Sequence, residues 1–188
     1  PSDALRYGRD SEKLPSHLLQ FSKDKKPVVV WNMTKACNLH CIHCYSQSNE
    51  QKAEGEFSEA EGKKLIDDLA KFRAPVILFS GGEPTLCENL PALAVYARSK
   101  GMRAVISTNG TLITPQKAKQ LKEIGLSYVG VSLDGIELTN DRFRGVKGAF
   151  SQALEGIRNC LKEGIKGGLR FTINKRNAQD IPAIFDLL

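Results

Sequence analysis

The feature that most constrains this chain is a regular alternation of short apolar runs with amphipathic segments. The runs are "PVVVWNM" (27–33), "PVILFS" (75–80), "RAVIST" (103–108), "SYVGVSLD" (127–134) and "GLRFTIN" (168–174). Each is rich in β-branched residues and nearly continuous in its apolar character, which predicts parallel strands covered on both faces. Between them lie segments of helical spacing. "SEAEGKKLIDDLAKF" (58–72) opens with Ser58 and carries Glu61 three residues on, a capping-box pattern, and repeats Leu65, Ile66, Leu69 and Phe72 along one face. Further helices are predicted over 88–100, over 114–125 and 148–164 with glycine stops at Gly125 and Gly164, and from Ala178 onward. The result is an α/β fold of about five strand–helix units.

A doubly wound sheet and a (β/α) barrel both fit that string. Motif placement favours the barrel. A cysteine cluster follows strand one, "SGGEPTL" strand two and "STNGT" strand three, while "SLDG" closes strand four and "TINKRN" strand five. All five sit at carboxyl ends of strands, which share one rim in a barrel and carry its active site. With 188 residues the chain is too short for eight units, so the expectation is a partial TIM-like barrel. The still-apolar "IFDLL" at the end implies a sixth strand that is missing. Residues 1–26 read as a polar lead-in, with "LPSHLLQF" as a short helix and "SKDKK" solvated, and residues 27–188 as the core domain.

Composition narrows the classes. Hydrophobic residues make up 41% and charged residues 26%, as in a globular domain, and no apolar run reaches the length of a membrane helix. No export signal opens the chain, so a cytoplasmic, reducing location is expected. The net charge of +6 is spread along the sequence rather than gathered in a stripe. That pattern points away from nucleic acid and suits a polyanionic small molecule. The cysteines number five, an odd count with three bunched together, which reads as a metal or cluster site rather than a disulfide framework.

The three are Cys37, Cys41 and Cys44, spaced C-x3-C-x2-C, with Tyr45 directly after. Iron–sulfur clusters are held by cysteine thiolates, and a four-iron cluster bound by three of them keeps one iron open to an outside ligand. Structural zinc is the alternative, completed by His40 or His43, although zinc ligands usually come as pairs on two arms and here there is one arm. A cluster-bearing redox protein is a further alternative. His40 and His43 otherwise read as exposed loop residues.

Cys37-x3-Cys41-x2-Cys44-Tyr45 after strand one and Gly81-Gly82-Glu83-Pro84 after strand two, in that order, resemble the radical S-adenosylmethionine (SAM) family over residues 27–188. The resemblance implies a partial six-unit barrel and a [4Fe-4S] cluster on Cys37, Cys41 and Cys44. It implies SAM chelated to the open iron and cleaved by one electron to methionine and a 5′-deoxyadenosyl radical, which abstracts hydrogen from substrate. It also implies an electron donor such as a flavodoxin or ferredoxin.

By the same resemblance, Gly81, Gly82 and Glu83 meet the SAM amino group and Pro84 stiffens their loop. Ser107, Asn109 and Ser132 contact SAM from strand ends, Arg144 is the matching arginine, and Tyr45 lies against the adenine. The turn-forming dipeptides Asn109-Gly110 and Asp134-Gly135 also permit a purely local role, and Asp134 reads as a turn former. Arg142 reads as solvated, Cys160 as core, and Cys87 as a small buried residue near the rim. "KPVVVWNMTKACNLHCIHCYSQS", "STNGTLI" and "DRFRGVKGAF" further resemble the branch that edits side chains of iron tetrapyrroles, in haem d1 and alternative haem biosynthesis. The peptide-modifying branch shares these motifs and is the competing reading. Enzymes of both kinds commonly carry a cysteine-rich C-terminal extension; only Cys87 and Cys160 lie outside the loop here.

Overall fold

The structure, a computed structural model, describes residues 26–187; the helix expected at "LPSHLLQF" lies outside them. The elements are β1 (Val29–Thr34), α1 (Glu59–Lys71), β2 (Val76–Gly81), α2 (Leu90–Ser99), β3 (Arg103–Thr108), α3 (Pro115–Glu123), β4 (Tyr128–Ser132), α4 (Leu138–Arg144), α5 (Ala149–Lys162), β5 (Lys166–Arg170) and α6 (Ile181–Phe185). Short 3-10 turns cover Pro84–Leu86 and Ala178–Asp180.

The strands form one parallel sheet in the order β1-β2-β3-β4-β5. Sheet order equals chain order, so every crossover steps the same way. That is barrel winding; a doubly wound sheet would reverse direction at a switch point. Among the described residues the barrel is open between β1 and β5.

Strand side chains alternate between faces. One set, including Ile77, Phe79, Ile106, Val129 and Val131, is fully buried. It packs with Ile66, Leu93, Ala97, Leu121, Ile157 and Cys160 from the helices in one apolar cluster. Each buried Val, Leu, Ile or Phe among them contributes about 1.5–3 kcal/mol. The other set, including Val30, Leu78, Ser80, Ser107, Ser132 and Arg170, lines a cavity. Both faces are covered along β2 and β3, where Leu78, Ser80 and Val105 of the second face are also buried; that face encloses the cavity, and its residues become polar toward the rim.

Local signals set the helix ends. Ser58 and Glu61 form the reciprocal capping box of α1, and Thr114 caps α3 through Lys117 N. Two elements differ from expectation. The "DRFR" segment forms α4, closed by Gly145 in the left-handed conformation at φ 71°. β5 begins and ends earlier than the apolar run suggests; beyond its end the chain turns to Asp134, whose Oδ1 accepts from Thr172 N at 3.1 Å.

Candidate functional site

The cavity, of about 310 Å³, opens at the carboxyl ends of the strands. Its walls include Cys37, Cys41, Cys44, Tyr45, Gly81, Gly82, Ser107, Asn109, Ser132 and Arg144. Ten of the twelve residues singled out from the sequence thus meet around one space; Glu83 and Pro84 do not line it.

The two glycines shape the entrance. Gly82 N donates to Thr34 O at 2.7 Å and Glu83 N to Ala36 O at 2.8 Å, so the loop after β2 runs against the segment leading into Cys37. A Cβ at Gly81, where φ is 132°, would collide with Thr34 O, and one at Gly82 with Ala36 O. The close approach that these glycines permit is to the chain's own backbone.

Glu83 is fully buried, and its carboxylate is committed within the fold. Oε1 accepts from Thr85 N, Thr85 Oγ1 and Thr108 Oγ1 at 3.0, 2.5 and 2.7 Å, and Oε2 from Asn109 N at 2.8 Å. Burial pushes this carboxyl above its ordinary range, against the pull of those donors. Its side chain is a strut from the loop after β2 to the end of β3. An ammonium meeting this segment would find backbone carbonyls, since the carboxylate faces away from the cavity. Pro84 is buried at the head of the following 3-10 turn.

The cysteine loop gives each thiol a different setting. Cys37 is buried, and burial raises its thiol above the ordinary value; Asn109 Nδ2 lies 3.9 Å from its Sγ. Cys41 receives Arg144 Nη1 at 3.6 Å. At Cys44 burial acts upward, but contacts from Ser46 Oγ at 3.3 Å and Ser48 N at 3.4 Å outweigh it and hold the thiol below the ordinary value. Asn109 is itself clamped, donating to Asn38 Oδ1 and accepting from Thr111 N and Oγ1. By contrast, the hydroxyls of Ser107 and Ser132 have no hydrogen-bond partner among the described residues and face the cavity. Tyr45 is exposed at the mouth, tethered by its hydroxyl to Asn32 Oδ1 at 3.1 Å.

Arg144 meets a carboxylate inside its own fold. Nη2 stands 2.6 Å from Asp134 Oδ2, and its buried Nε has no partner among the described residues. Asp134, only 1% exposed, is an ion-pair anchor rather than a simple turn former. His43 is an exposed loop residue, as expected, whose Nε2 also lies 3.0 Å from Asp134 Oδ2 and whose ring meets Phe143 edge-on at 5.5 Å. His40 is turned to Glu50 at 3.6 Å. Among the described residues no three His, Cys, Asp or Glu side chains form a group that would hold a single metal ion. A four-iron cluster needs no such convergence, because each thiolate takes a different iron. Three thiols on one cavity wall, with N–H and O–H donors beside the sulfurs, fit that group.

Sequence reasoning passed over Ser80, Thr172 and Arg170, which also line the cavity. Arg170 lies across Gly130, where a Cβ would come within 2.5 Å of its Nε. The signal available was register: Ser132 pairs with Arg170 and Asn32 with Ser80. Cys87 does not reach this cavity; it lines a separate groove between α2 and α3. Cys160 is core, its thiol pushed up to about 11 by burial, and Arg142 is exposed, both as expected.

An open (β/α) barrel with a three-thiol loop on its rim defines the class. The description "Radical SAM superfamily" matches residues 31–188, and the chain belongs to that family. Its members use a [4Fe-4S] cluster and SAM. The chain is 74% identical over its whole length to the Fe-coproporphyrin III synthase of Methanosarcina barkeri, of which it covers 47%. It is 48% identical over 86% of its length to the pre-heme d1 synthase of Dinoroseobacter shibae, of which it covers 40%. The chain thus spans about half or less of the length of these relatives. In fold it is similar to the solved structure "Native anSMEcpe with bound AdoMet", with a TM-score of 0.71, 22% identity, and coverage of 85% of this chain and 47% of that one. Among the described residues no helix is long and apolar enough to cross a membrane.

Proposed function

We propose that residues 27–188 are the SAM-cleaving core of an enzyme that modifies a side chain of an iron tetrapyrrole in haem or haem d1 formation. The observation that carries this reading is the meeting of three thiols, two unpartnered hydroxyls and a glycine-walled entrance around one cavity. The names of the two relatives, at 74% and 48% identity, supply the substrate class.

Cys37, Cys41 and Cys44 would hold the [4Fe-4S] cluster through their thiolates. When bound, the cluster would supply the one electron that reductive cleavage of SAM needs. Backbone carbonyls of Gly81, Gly82 and Glu83 receive the SAM ammonium, with Pro84 fixing the turn. Ser107 and Ser132 donate to SAM from β3 and β4. Asn109 acts beside Cys37, Arg144 is the basic side chain on the cavity wall toward the SAM carboxylate, and Tyr45 covers the adenine at the mouth. A small cytoplasmic reductant, a flavodoxin or ferredoxin, supplies the electron.

The test is anaerobic. The protein is reconstituted with iron and sulfide, given SAM and dithionite, and assayed for 5′-deoxyadenosine. Formation that needs cluster, reductant and all three loop cysteines is expected. A preparation with stoichiometric zinc and neither iron nor sulfide overturns the reading. Titration with an iron tetrapyrrole then separates the branches: a Soret shift is expected, and its absence with the whole enzyme favours a peptide substrate.

A further inference from the structure

The cysteine loop is docked on the carboxyl end of α4. His40 N donates to Arg144 O and Ile42 N to Phe143 O, both at 3.0 Å. Gly145 lets the two backbones approach, since a Cβ there would stand 2.5 Å from His40 O. Helix carbonyls at this end have no partner within the helix, so the loop's N–H groups satisfy them. The middle of the cysteine motif therefore follows α4 as one body.

From that joint the Arg144 guanidinium reaches in two directions, with Nη2 on Asp134 and Nη1 on Cys41 Sγ. Asp134 cannot easily follow a moving partner. Its Oδ1 accepts from Thr172 N, its N–H donates to Asn140 Oδ1, and its carbonyl accepts from Asn177 Nδ2. Asn140 and Asn177 are themselves buried. The other side chain facing its carboxylate is His43, at Oδ2. We infer that Asp134 is a positioning residue for the cluster: it fixes Arg144 so that a cationic N–H donor is held on the Cys41 thiolate. A donor there stabilises the reduced, more negative cluster and raises its reduction potential, because hydrogen bonds to the sulfurs and local charge set that potential. The neutral donors at Cys44 and the amide beside Cys37 make Cys41 the thiol with a guanidinium contact.

This inference rests on the loop being the cluster site. It is tested on the reconstituted protein without SAM, by redox titration followed by electron paramagnetic resonance, with iron content measured alongside. Arg144→Met is expected to move the midpoint potential to a more negative value while iron per chain stays at the unsubstituted level. Arg144→Lys, which keeps the charge but cannot span both partners, moves it the same way by less, and it serves as the readout if the methionine variant loads poorly.

Asp134→Asn is then compared in two backgrounds. With Met at position 144, it raises the potential, since only a nearby negative charge is lost. With Arg144 present, it raises the potential less or lowers it, because the guanidinium is also released. Unequal shifts measure the coupling. Equal shifts in the two backgrounds, or a potential indifferent to residue 144, would overturn the assignment. Failure of the unsubstituted protein to assemble any cluster would remove the underlying site instead, a different and distinguishable result.

Discussion

Replacing Gly82 by alanine separates two accounts of the glycine pair. If the glycines exist to admit a ligand, Gly82→Ala weakens SAM binding and leaves the unliganded protein untouched. In the structure the added Cβ meets the Ala36 carbonyl, with Ala36 C and Lys35 O both at 2.8 Å, in backbone that cannot rotate away. The hydrogen bonds Gly82 N to Thr34 O and Glu83 N to Ala36 O must lengthen. Overpacking of this kind costs about 1–3 kcal/mol. Loss of glycine freedom in the unfolded chain returns about 0.4–1 kcal/mol. Gly82 lies outside the positive-φ residues, so no dihedral strain is added. The net expectation is a loss of about 1–2 kcal/mol, or about 2–8 °C in Tm for a chain of this size. Urea unfolding of the iron-free protein measures it, and iron uptake should fall as well, because the displaced Thr34–Ala36 segment leads directly into Cys37. An iron-free variant as stable as the parent, with only SAM affinity reduced, would refute the reasoning.

Three further outcomes follow from the site. Cys41→Ala should abolish cluster assembly, measured as iron and sulfide per chain, with the urea midpoint little changed because Cys41 lies outside the main core; full iron content in that variant removes the ligand assignment. Ser132→Ala should weaken SAM binding by about 1 kcal/mol, roughly fivefold, for one neutral hydrogen bond; calorimetry showing unchanged affinity takes Ser132 out of the site. In the iron-free protein Cys44, held below the ordinary thiol value, should be alkylated faster near pH 8 than Cys37, held above it. Since the thiolate reacts, removing the Ser46 and Ser48 hydroxyls together should shift the Cys44 rate profile to higher pH, and peptide mapping that finds Cys37 the faster site contradicts the geometry.

Much of the site was legible because barrels place strand ends on one rim, so motifs distant in sequence could be assigned to one place from the alternation alone. Legibility failed where a side chain had two chemically reasonable destinations. Glu83 carries a carboxylate suited to an ammonium, yet four donors of the fold take it. Arg144 suits a ligand carboxylate, yet two of its nitrogens are engaged by Asp134 and Cys41. Asp134-Gly135 reads as a turn because local propensity is all that a dipeptide shows; its burial depends on residues 140, 172 and 177.

By itself the sequence determined the periodicities, the helix caps and the thiol spacing, because each depends on residues within one or two turns of each other. It thereby determined the α/β class, the rim and the three thiols proposed as ligands. Only the tertiary structure decided the short fifth strand, the docking of the cysteine loop on α4, and which polar groups face the cavity rather than each other. Those depend on hydrogen bonds between residues up to 104 positions apart, as from His40 to Arg144. Whether a buried donor finds its partner in the fold or in a ligand is settled by distance, and no local pattern encodes that distance.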